Sequence, residues 1–321
     1  MQGRLMMKEV KHYCGIDVAK RHLVIGFSHT KKTKTQTNNT KGIAHTIAYL
    51  QRLKIDLVVL ESTGGLEIPI AKGLHHAGFR VVIANPRQTN QFALSQSLAK
   101  TDAKDAKMLA SYAQILSYRE DIERLLYAPP SPEMEQLEAY VSRRTQLVEM
   151  RSAEKNRLEQ VHESQVESVQ QLINHFDKLI NALEKQIEQQ SKYFEDTIKK
   201  YKNIKGLGLI TQATLVSMLP ELGNLTSKQI ASLVGVAPHP KESGNIRWKS
   251  RCSGGRKAVR NVLYMATLVS TRFEPKLKAF YERLRQNGKP FKVAINACMR
   301  KLLVILNAIV RDKSEWRACE I

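Results

Sequence analysis

The apolar positions of the first 120 residues change period several times. Tyr13-Cys14-Gly15-Ile16-Asp17 reads as a short buried strand ending in a carboxylate. His22 to Ser28, carrying Leu23, Val24, Ile25 and Phe27, reads as a second strand. The polar stretch Lys31 to Asn39 predicts a hairpin tip running into a third strand, and Gly42 to Leu53 has helical spacing. Leu57-Val58-Val59-Leu60 is a strand followed at once by Glu61. Pro69 to Ala77 is helical, Val81-Val82-Ile83-Ala84 is a strand closed by Asn85-Pro86, and Thr101-Asp102 opens a helix through Leu116. Strands first, then alternating helix and strand, predict a three-layer α/β domain.

Ala128-Pro129-Pro130-Ser131-Pro132 breaks the pattern and marks a domain boundary. A long helical region follows, about Glu133 to Lys200. Within it Val169, Leu172, Phe176, Leu179 and Leu183 are spaced 3, 4, 3, 4, a heptad seam. The seam fits a helical hairpin packed on itself or an intermolecular coiled coil; its length favours dimerisation. Ile204-Lys205-Gly206-Leu207-Gly208 precedes an apolar helix from Ile210 to Leu219. Gly206 and Gly208 form either a plain tight turn or a phosphate-facing hairpin of helix-hairpin-helix type, since a helix N-terminus offers free N–H groups. Further apolar helices run over Val262 to Val269 and Val293 to Val310, after a flexible basic stretch at Ser250 to Gly255. The predicted division is 1–128, 129–202 and 203–321.

Charge sharpens this division. The 321 residues carry a formal net charge of +21, which suits a polyanionic partner. The charge is +10 over residues 1–120, −2 over 121–240 and +13 over 241–321. Two basic ends flank a balanced middle, as expected of two nucleic-acid-facing modules joined by a structural element. Arg247, Lys249, Arg251, Arg256, Lys257 and Arg260 are the candidate phosphate contacts, because guanidinium forks match phosphate oxygens. Cys14, Cys252, Cys298 and Cys319 contain no CxxC pair, so neither a zinc site nor a disulfide framework is expected. Met1 to Lys11 lacks the apolar core of a signal peptide, and no apolar run reaches transmembrane length. The expected location is the cytoplasm, with no membrane partner.

Four acids carry the candidate chemistry. Asp17 and Glu61 end two strands, while Asp102 and Asp105 are spaced i, i+3 on one helix turn. Each alone reads equally as a turn or cap residue. Residues 1–120 hold only eight acids, however, and these four fall at strand ends and a helix start. Gathered together they would raise one another's pKa unless cations neutralised them. Two Mg²⁺ ions ~3.5–4 Å apart would do so, and would clamp the attacking and leaving oxygens of a phosphodiester.

Several ordered motifs then converge. They are Gly15-Ile16-Asp17-Val18-Ala19-Lys20, Glu61-Ser62-Thr63-Gly64, Asn85-Pro86 and Lys100-Thr101-Asp102-Ala103-Lys104-Asp105-Ala106. Downstream come Leu233-Val234-Gly235-Val236-Ala237-Pro238, Glu242-Ser243-Gly244 and Arg260-Asn261-Val262-Leu263-Tyr264-Met265. Together they resemble the DEDD-type transposases of bacterial insertion sequences, the group that includes the Piv/MooV-type invertases and the bridge-RNA-guided recombinases. The resemblance covers nearly the whole chain. It implies a RuvC-type RNase H-like N-terminal domain with Asp17, Glu61, Asp102 and Asp105 as the Mg²⁺ tetrad, where Mn²⁺ could substitute. It implies a mostly α-helical C-terminal domain bearing a nucleophilic serine at Ser243. It also implies double-stranded DNA as substrate, a structured bridge RNA as guide, and homodimers, bridged by the coiled coil, that pair into tetramers. From the residues alone, Ser250 and Ser253 rival Ser243, which reads equally as a turn residue before Gly244. Two other functions stay open: a Holliday-junction resolvase-like nuclease using water, and a non-catalytic nucleic-acid-binding scaffold.

Overall fold

The structure is a computed structural model that describes residues 11–96, 101–201, 204–243, 246–314 and 316, with the backbone alone at 96 and 239–251. Its contacts divide the chain at Pro129/Pro130 into two compact units.

In the first unit, strand β1 (His12–Val18) pairs antiparallel with β2 (His22–Phe27), and β2 pairs antiparallel with β3 (Thr30–Thr37). Helix α1 (Thr40–Gln51) then crosses to β4 (Ile55–Glu61), which lies parallel to β1. Helix α2 (Ile68–His76) crosses to β5 (Val81–Ala84), parallel to β4. Helices α3 (Pro86–Gln96) and α4 (Asp102–Leu116) complete the unit. The strand order β3-β2-β1-β4-β5, with three antiparallel strands followed by two parallel crossovers, is the mixed-sheet order of RNase H-like domains. One face of the sheet buries Ile16, Leu23, Ile25, Val58 and Leu60 with residues of α1 and α2. The other buries Tyr13, Leu57, Val59 and Val82 with Leu109 and Ala113 of α4. The central strands are therefore buried on both faces, as parallel crossovers require.

Two glycines set how closely α4 lies on the sheet. A Cβ on Gly15 would stand 2.3 Å from both the Ala106 carbonyl oxygen and the Ala110 nitrogen. One on Gly26 would stand 2.6 Å from the Ala106 carbonyl carbon. The helix backbone rests on the backbones of β1 and β2, with no side chain between them. Gly15 was part of the motif read from sequence; Gly26, its directly paired neighbour in β2, was not.

The second unit begins with a helical hairpin, α5 (Pro132–Leu158) and α6 (Val166–Ser191). Ser131 caps α5 and Pro132 occupies its first turn, where the missing N–H is harmless. Ion pairs Arg144–Glu184 (2.6 Å) and Arg151–Asp177 (2.5 Å) tie the two helices. The buried line of α6 is Ile173, Ile180 and Ile187. Leu172 and Leu179, expected in the seam, stand beside it, 44% and 37% exposed. Val169, Phe176 and Leu183 of the expected seam are half-buried, so the heptad closes within one chain with Ile173 and Ile180 in place of Leu172 and Leu179.

Short helix α7 (Glu195–Lys199), α8 (Leu209–Met218) and α9 (Ser227–Val234) follow. A two-stranded hairpin of β6 (His239–Ser243) and β7 (Ile246–Arg251) comes next, and then α10 (Lys257–Phe273), α11 (Pro275–Gln286) and α12 (Phe291–Arg311). The core joins Leu137 and Ile187 of the hairpin to Leu215, Ile230, Leu263 and Leu302. Helix α12 is long and apolar enough to cross a membrane by length and composition, contrary to the sequence expectation. Much of that surface, including Ala294, Cys298, Leu302 and Leu306, is buried in the core. The β6–β7 ribbon was not anticipated in this mostly helical unit.

Candidate metal-binding active site

Asp17 is the second-last residue of β1 and lies opposite Val24 of β2. Alternation puts it on the same sheet face as Tyr13 and Gly15, the face that α4 covers. Glu61 ends β4, one residue past Leu60, which pairs with Ile16 of β1. The neighbouring parallel strands therefore deliver both carboxylates to the same end of the sheet. Asp102 and Asp105 occupy the first turn of α4. Thr101 caps that helix, its hydroxyl accepting from the Lys104 N–H at 3.3 Å. Acids in a first turn are favoured by the helix dipole. The close seating of α4 on Gly15 and Gly26 then fixes where that turn falls over the sheet.

Electrostatics shows that the four acids share one neighbourhood. The Asp17 carboxyl is held above its ordinary range first by burial, then by the charges of Asp102, Asp105 and Glu61. His22 opposes the shift. Its Nε2 lies 3.4 Å from Asp102 Oδ2. Thr89 of α3, fully buried, donates its hydroxyl to Glu61 Oε2 at 2.9 Å. Neither His22 nor Thr89 stood out in the sequence, because nothing in a lone His or Thr announces a contact across the fold. Among the described residues no three His, Cys, Asp or Glu side chains form a ready-made metal cage. The donors are nevertheless all hard oxygens, and their mutual repulsion, which raises Asp17, is what a divalent cation would relieve. The residues present fit such an ion.

A fifth acid holds the adjoining loop. Glu67 is 3% exposed. Its carboxylate accepts from the Ser62 hydroxyl (3.1 Å), the Thr63 N–H (3.1 Å) and hydroxyl (2.8 Å), and the Gly65 N–H (2.8 Å). Burial alone would raise its pKa; these hydrogen bonds outweigh burial and hold it below the ordinary range. Asn38 donates to the Ala19 carbonyl at 2.9 Å and to the Leu66 carbonyl at 3.5 Å, tying the turn after Asp17 to the loop after Glu61.

The C-terminal candidates divide differently. Ser243 ends β6 and is paired with Ile246 across the ribbon; Gly244 lies outside the described residues. Arg247, Lys249 and Arg251 occupy alternate positions of β7, with Ser250 between them. Ser253 is exposed beyond the ribbon. Arg256 holds Glu221 through two 2.5 Å contacts and donates to the Met218 carbonyl at 2.8 Å. Arg260 donates to the carbonyls of Gly254 and Val234. Lys257 pairs with Glu149 at 2.9 Å on the surface. Gly206, with φ of +100°, presses on α10, where a Cβ would stand 2.6 Å from the Ala266 carbonyl oxygen. Gly208 heads α8 in open space.

Two family models match the chain. The DEDD transposase model of IS110 elements covers residues 14–166. The transposase model of the IS116/IS110/IS902 family covers residues 199–282. The chain belongs to the IS110 family of transposases. It is 29% identical over 316 residues to the pilin gene-inverting protein of Moraxella lacunata, covering 94% of this chain and 96% of that one. It is 27% identical over 152 residues to the 42 kDa protein of insertion element IS900 from Mycobacterium paratuberculosis, covering 43% of this chain and 37% of that one. A Thermus thermophilus RuvC structure aligns with 31% of this chain and 90% of its own, at 15% identity and a TM-score of 0.24. The IS110-family chain is thus a DNA transposase or recombinase. Asp17, Glu61, Asp102 and Asp105 lie within the first matched segment, and Ser243 lies within the second.

Proposed function

We propose that this IS110-family enzyme cuts and rejoins double-stranded DNA through a covalent link to Ser243, using Mg²⁺ held by Asp17, Glu61, Asp102 and Asp105. The observation that carries this reading is the delivery of Glu61 from β4 and of Asp102 and Asp105 from α4 to the Asp17 end of β1, where burial first and these three charges next hold the Asp17 carboxyl above its ordinary range. Such crowding is unfavourable in the absence of a cation. When bound, two Mg²⁺ ions would supply Lewis-acid stabilisation of the phosphodiester oxygens. The chain's own residues do the rest. Thr89 orients Glu61, and Glu67 with Asn38 keeps the loops after Glu61 and Asp17 in register.

Ser243 Oγ attacks a DNA phosphorus, the Ser–O–P bond forms, and the bond to one deoxyribose oxygen breaks. The serine proton leaves to a base, and the departing sugar oxygen takes up a proton. One phosphodiester replaces another, so a sugar hydroxyl can later reverse the exchange without ATP. For this to occur the serine must reach the acids, within one chain or between subunits. Homodimers pairing into tetramers, a guiding bridge RNA and a cytoplasmic location complete the reading. The exposed Leu172 and Leu179 beside the closed seam support the assembly, since they leave an apolar flank on α6. Gly208, at the open head of α8, and the β7 cations are the proposed phosphate contacts. The organisation into 1–128, 129–202 and 203–321 is proposed as catalytic, dimerising and serine-bearing parts.

The test is a denaturing gel with end-labelled DNA, followed by peptide mapping of any protein–DNA adduct. An adduct on Ser243, absent in Ser243→Ala, is the expected result. An adduct on Ser250 or Ser253 would move the nucleophile. Active enzyme without any adduct would make it a nuclease that uses water.

A further inference from the structure

A site built from four carboxylates has a difficulty with its substrate. DNA is a dense polyanion, and even two divalent cations would only cancel four negative charges. Attraction has to come from elsewhere, and four cations of the first unit lie close in sequence to residues of the cluster or its contacts. Lys20 and Arg21 form the tip of the β1–β2 turn, closed by the Ala19 N–H to the His22 carbonyl at 2.9 Å. His22, the next residue, reaches Asp102 at 3.4 Å. Arg87 lies in the first turn of α3, where its N–H donates to Asn85 Oδ1 at 2.9 Å. Two residues on, Thr89 holds Glu61. Lys104 sits between Asp102 and Asp105 on the first turn of α4.

Each of the four is therefore within two residues of a group that belongs to the acidic cluster or touches it. All four are exposed, and none pairs with a described carboxylate. With 51 basic and 30 acidic residues, unpaired cations are common in this chain; what sets these four apart is their place beside the residues of the acidic cluster. Unpaired cations keep their full attraction for an arriving phosphate. They come from three elements, the β1–β2 turn, α3 and α4, each of which also supplies a residue of the acidic cluster or one that touches it.

We infer that Lys20, Arg21, Arg87 and Lys104 form a phosphate-binding collar that draws duplex DNA over the acidic cluster and seats the backbone on either side of the scissile bond. The inference rests on the proposed strand-transfer reading for its substrate, and it adds a DNA-binding surface to the catalytic unit beside the basic C-terminal segment.

The experiment measures binding of the full chain to a short fluorescent duplex in EDTA across a range of salt, so no cleavage is needed. Wild type is compared with Lys20→Ala/Arg21→Ala/Arg87→Ala/Lys104→Ala. It is also compared with a control of equal charge on the hairpin, Lys155→Ala/Lys178→Ala/Lys185→Ala/Lys192→Ala. The collar variant is expected to lower the log–log salt slope by about three to four, roughly one per lost phosphate contact, while the control stays near the wild-type slope. Both should melt with wild-type cooperativity, because the side chains removed are exposed. A wild-type slope in the collar variant would overturn the inference, as would an equal fall in the control or a fall seen with single-stranded RNA but not with duplex. Failure to find a Ser243 adduct would sink the strand-transfer chemistry while leaving this binding result standing.

Discussion

The two candidate functional regions of this transposase are built on opposite plans. In the first unit, residues far apart in sequence are gathered, and their charges press on one another. Asp17, Glu61, Asp102 and Asp105 come from two strands and a helix, and the Asp17 carboxyl is held above its ordinary range first by burial and then by the other three charges. In the second unit, cations adjacent in sequence are dispersed to different tasks. Arg256 and Arg260 hold the scaffold through Glu221 and backbone carbonyls, whereas Arg247, Lys249 and Arg251 lie on the β6–β7 ribbon. Clustering in sequence is thus a poor guide to clustering in function. A run of like charge is easily divided between scaffold and ligand, while acids forced together against Coulomb repulsion need a reason to be there.

The comparison breaks first at the acids. Asp17→Asn or Asp102→Asn is expected to lower strand cleavage on the order of a thousandfold or more, about 4 kcal/mol of barrier, and EDTA should do the same to wild type. The stability effect runs the other way. A carboxyl whose folded pKa lies above its unfolded value is increasingly penalised as pH rises through that window. Asp17→Asn should therefore melt higher than wild type at neutral pH without metal, and lose this advantage below the ordinary carboxylate range. Calorimetry in EDTA over a pH series reads both ends. Full cleavage by Asp17→Asn would remove the acids from the chemistry.

Assembly should respond next. Leu172→Asp with Leu179→Asp places charge on the exposed flank and should reduce the mass seen by light scattering while the helices stay folded. Ile180→Asp buries an unpaired charge inside the α5–α6 seam and should unfold the hairpin instead. If the Leu172 and Leu179 variants keep the wild-type mass, the flank is not an interface.

Backbone spacing is the third lever. Gly15→Ala forces a methyl into the 2.3 Å gap beneath α4. Overpacking of this kind costs roughly 1–3 kcal/mol or more, seen as a lower urea midpoint, with cleavage lost further than stability alone explains. An Ala variant with normal activity would mean that α4 need not sit so close.

The smallest effects separate scaffold cations from ligand cations. Arg256→Ala leaves Glu221 and the Met218 carbonyl without their donor and should lower stability by about 1–3 kcal/mol with little change in the salt slope of DNA binding. Arg251→Ala should do the reverse, reducing the slope by about one. Equal slopes for the two variants would erase the distinction. Glu67→Gln completes the series. The Glu67 pKa is lowered on folding, so its contribution is full above the ordinary glutamate range and fades as pH falls through the lowered value. The variant should lose stability at neutral pH and show a flatter acid limb in a melting-temperature series.

Much of the first unit was legible in the sequence because its signals are local. Alternating runs marked β1, β2, β4 and β5, and carboxylates at strand ends and at the start of α4 marked the candidate site. The contacts that complete it, His22 to Asp102 and Thr89 to Glu61, span 80 and 28 residues and leave no local trace. The seam was misread for a different reason. Leu172-Ile173 and Leu179-Ile180 are adjacent apolar pairs, so either member of each pair completes an apolar seam through Val169, Phe176 and Leu183. Only packing against α5 selects Ile173 and Ile180. The β6–β7 ribbon was hidden because basic residues alternate with Ile246, Trp248 and Ser250, and charge masks the strand period.

The backbone-to-backbone seating of α4 on β1 and β2 also bears on how such an enzyme can change. Where side chains separate two layers, any repacking shifts the distance between them. Here the gap is set by main-chain atoms over Gly15 and Gly26, which have no side chain to vary. Leu57, Val59, Leu109 and Ala113 can then drift around that fixed point without carrying Asp102 and Asp105 away from Asp17. Two hydrogen atoms in place of two methyl groups thus set the height of α4 over the sheet, and offer an engineer a fixed point around which the neighbouring core can be redesigned.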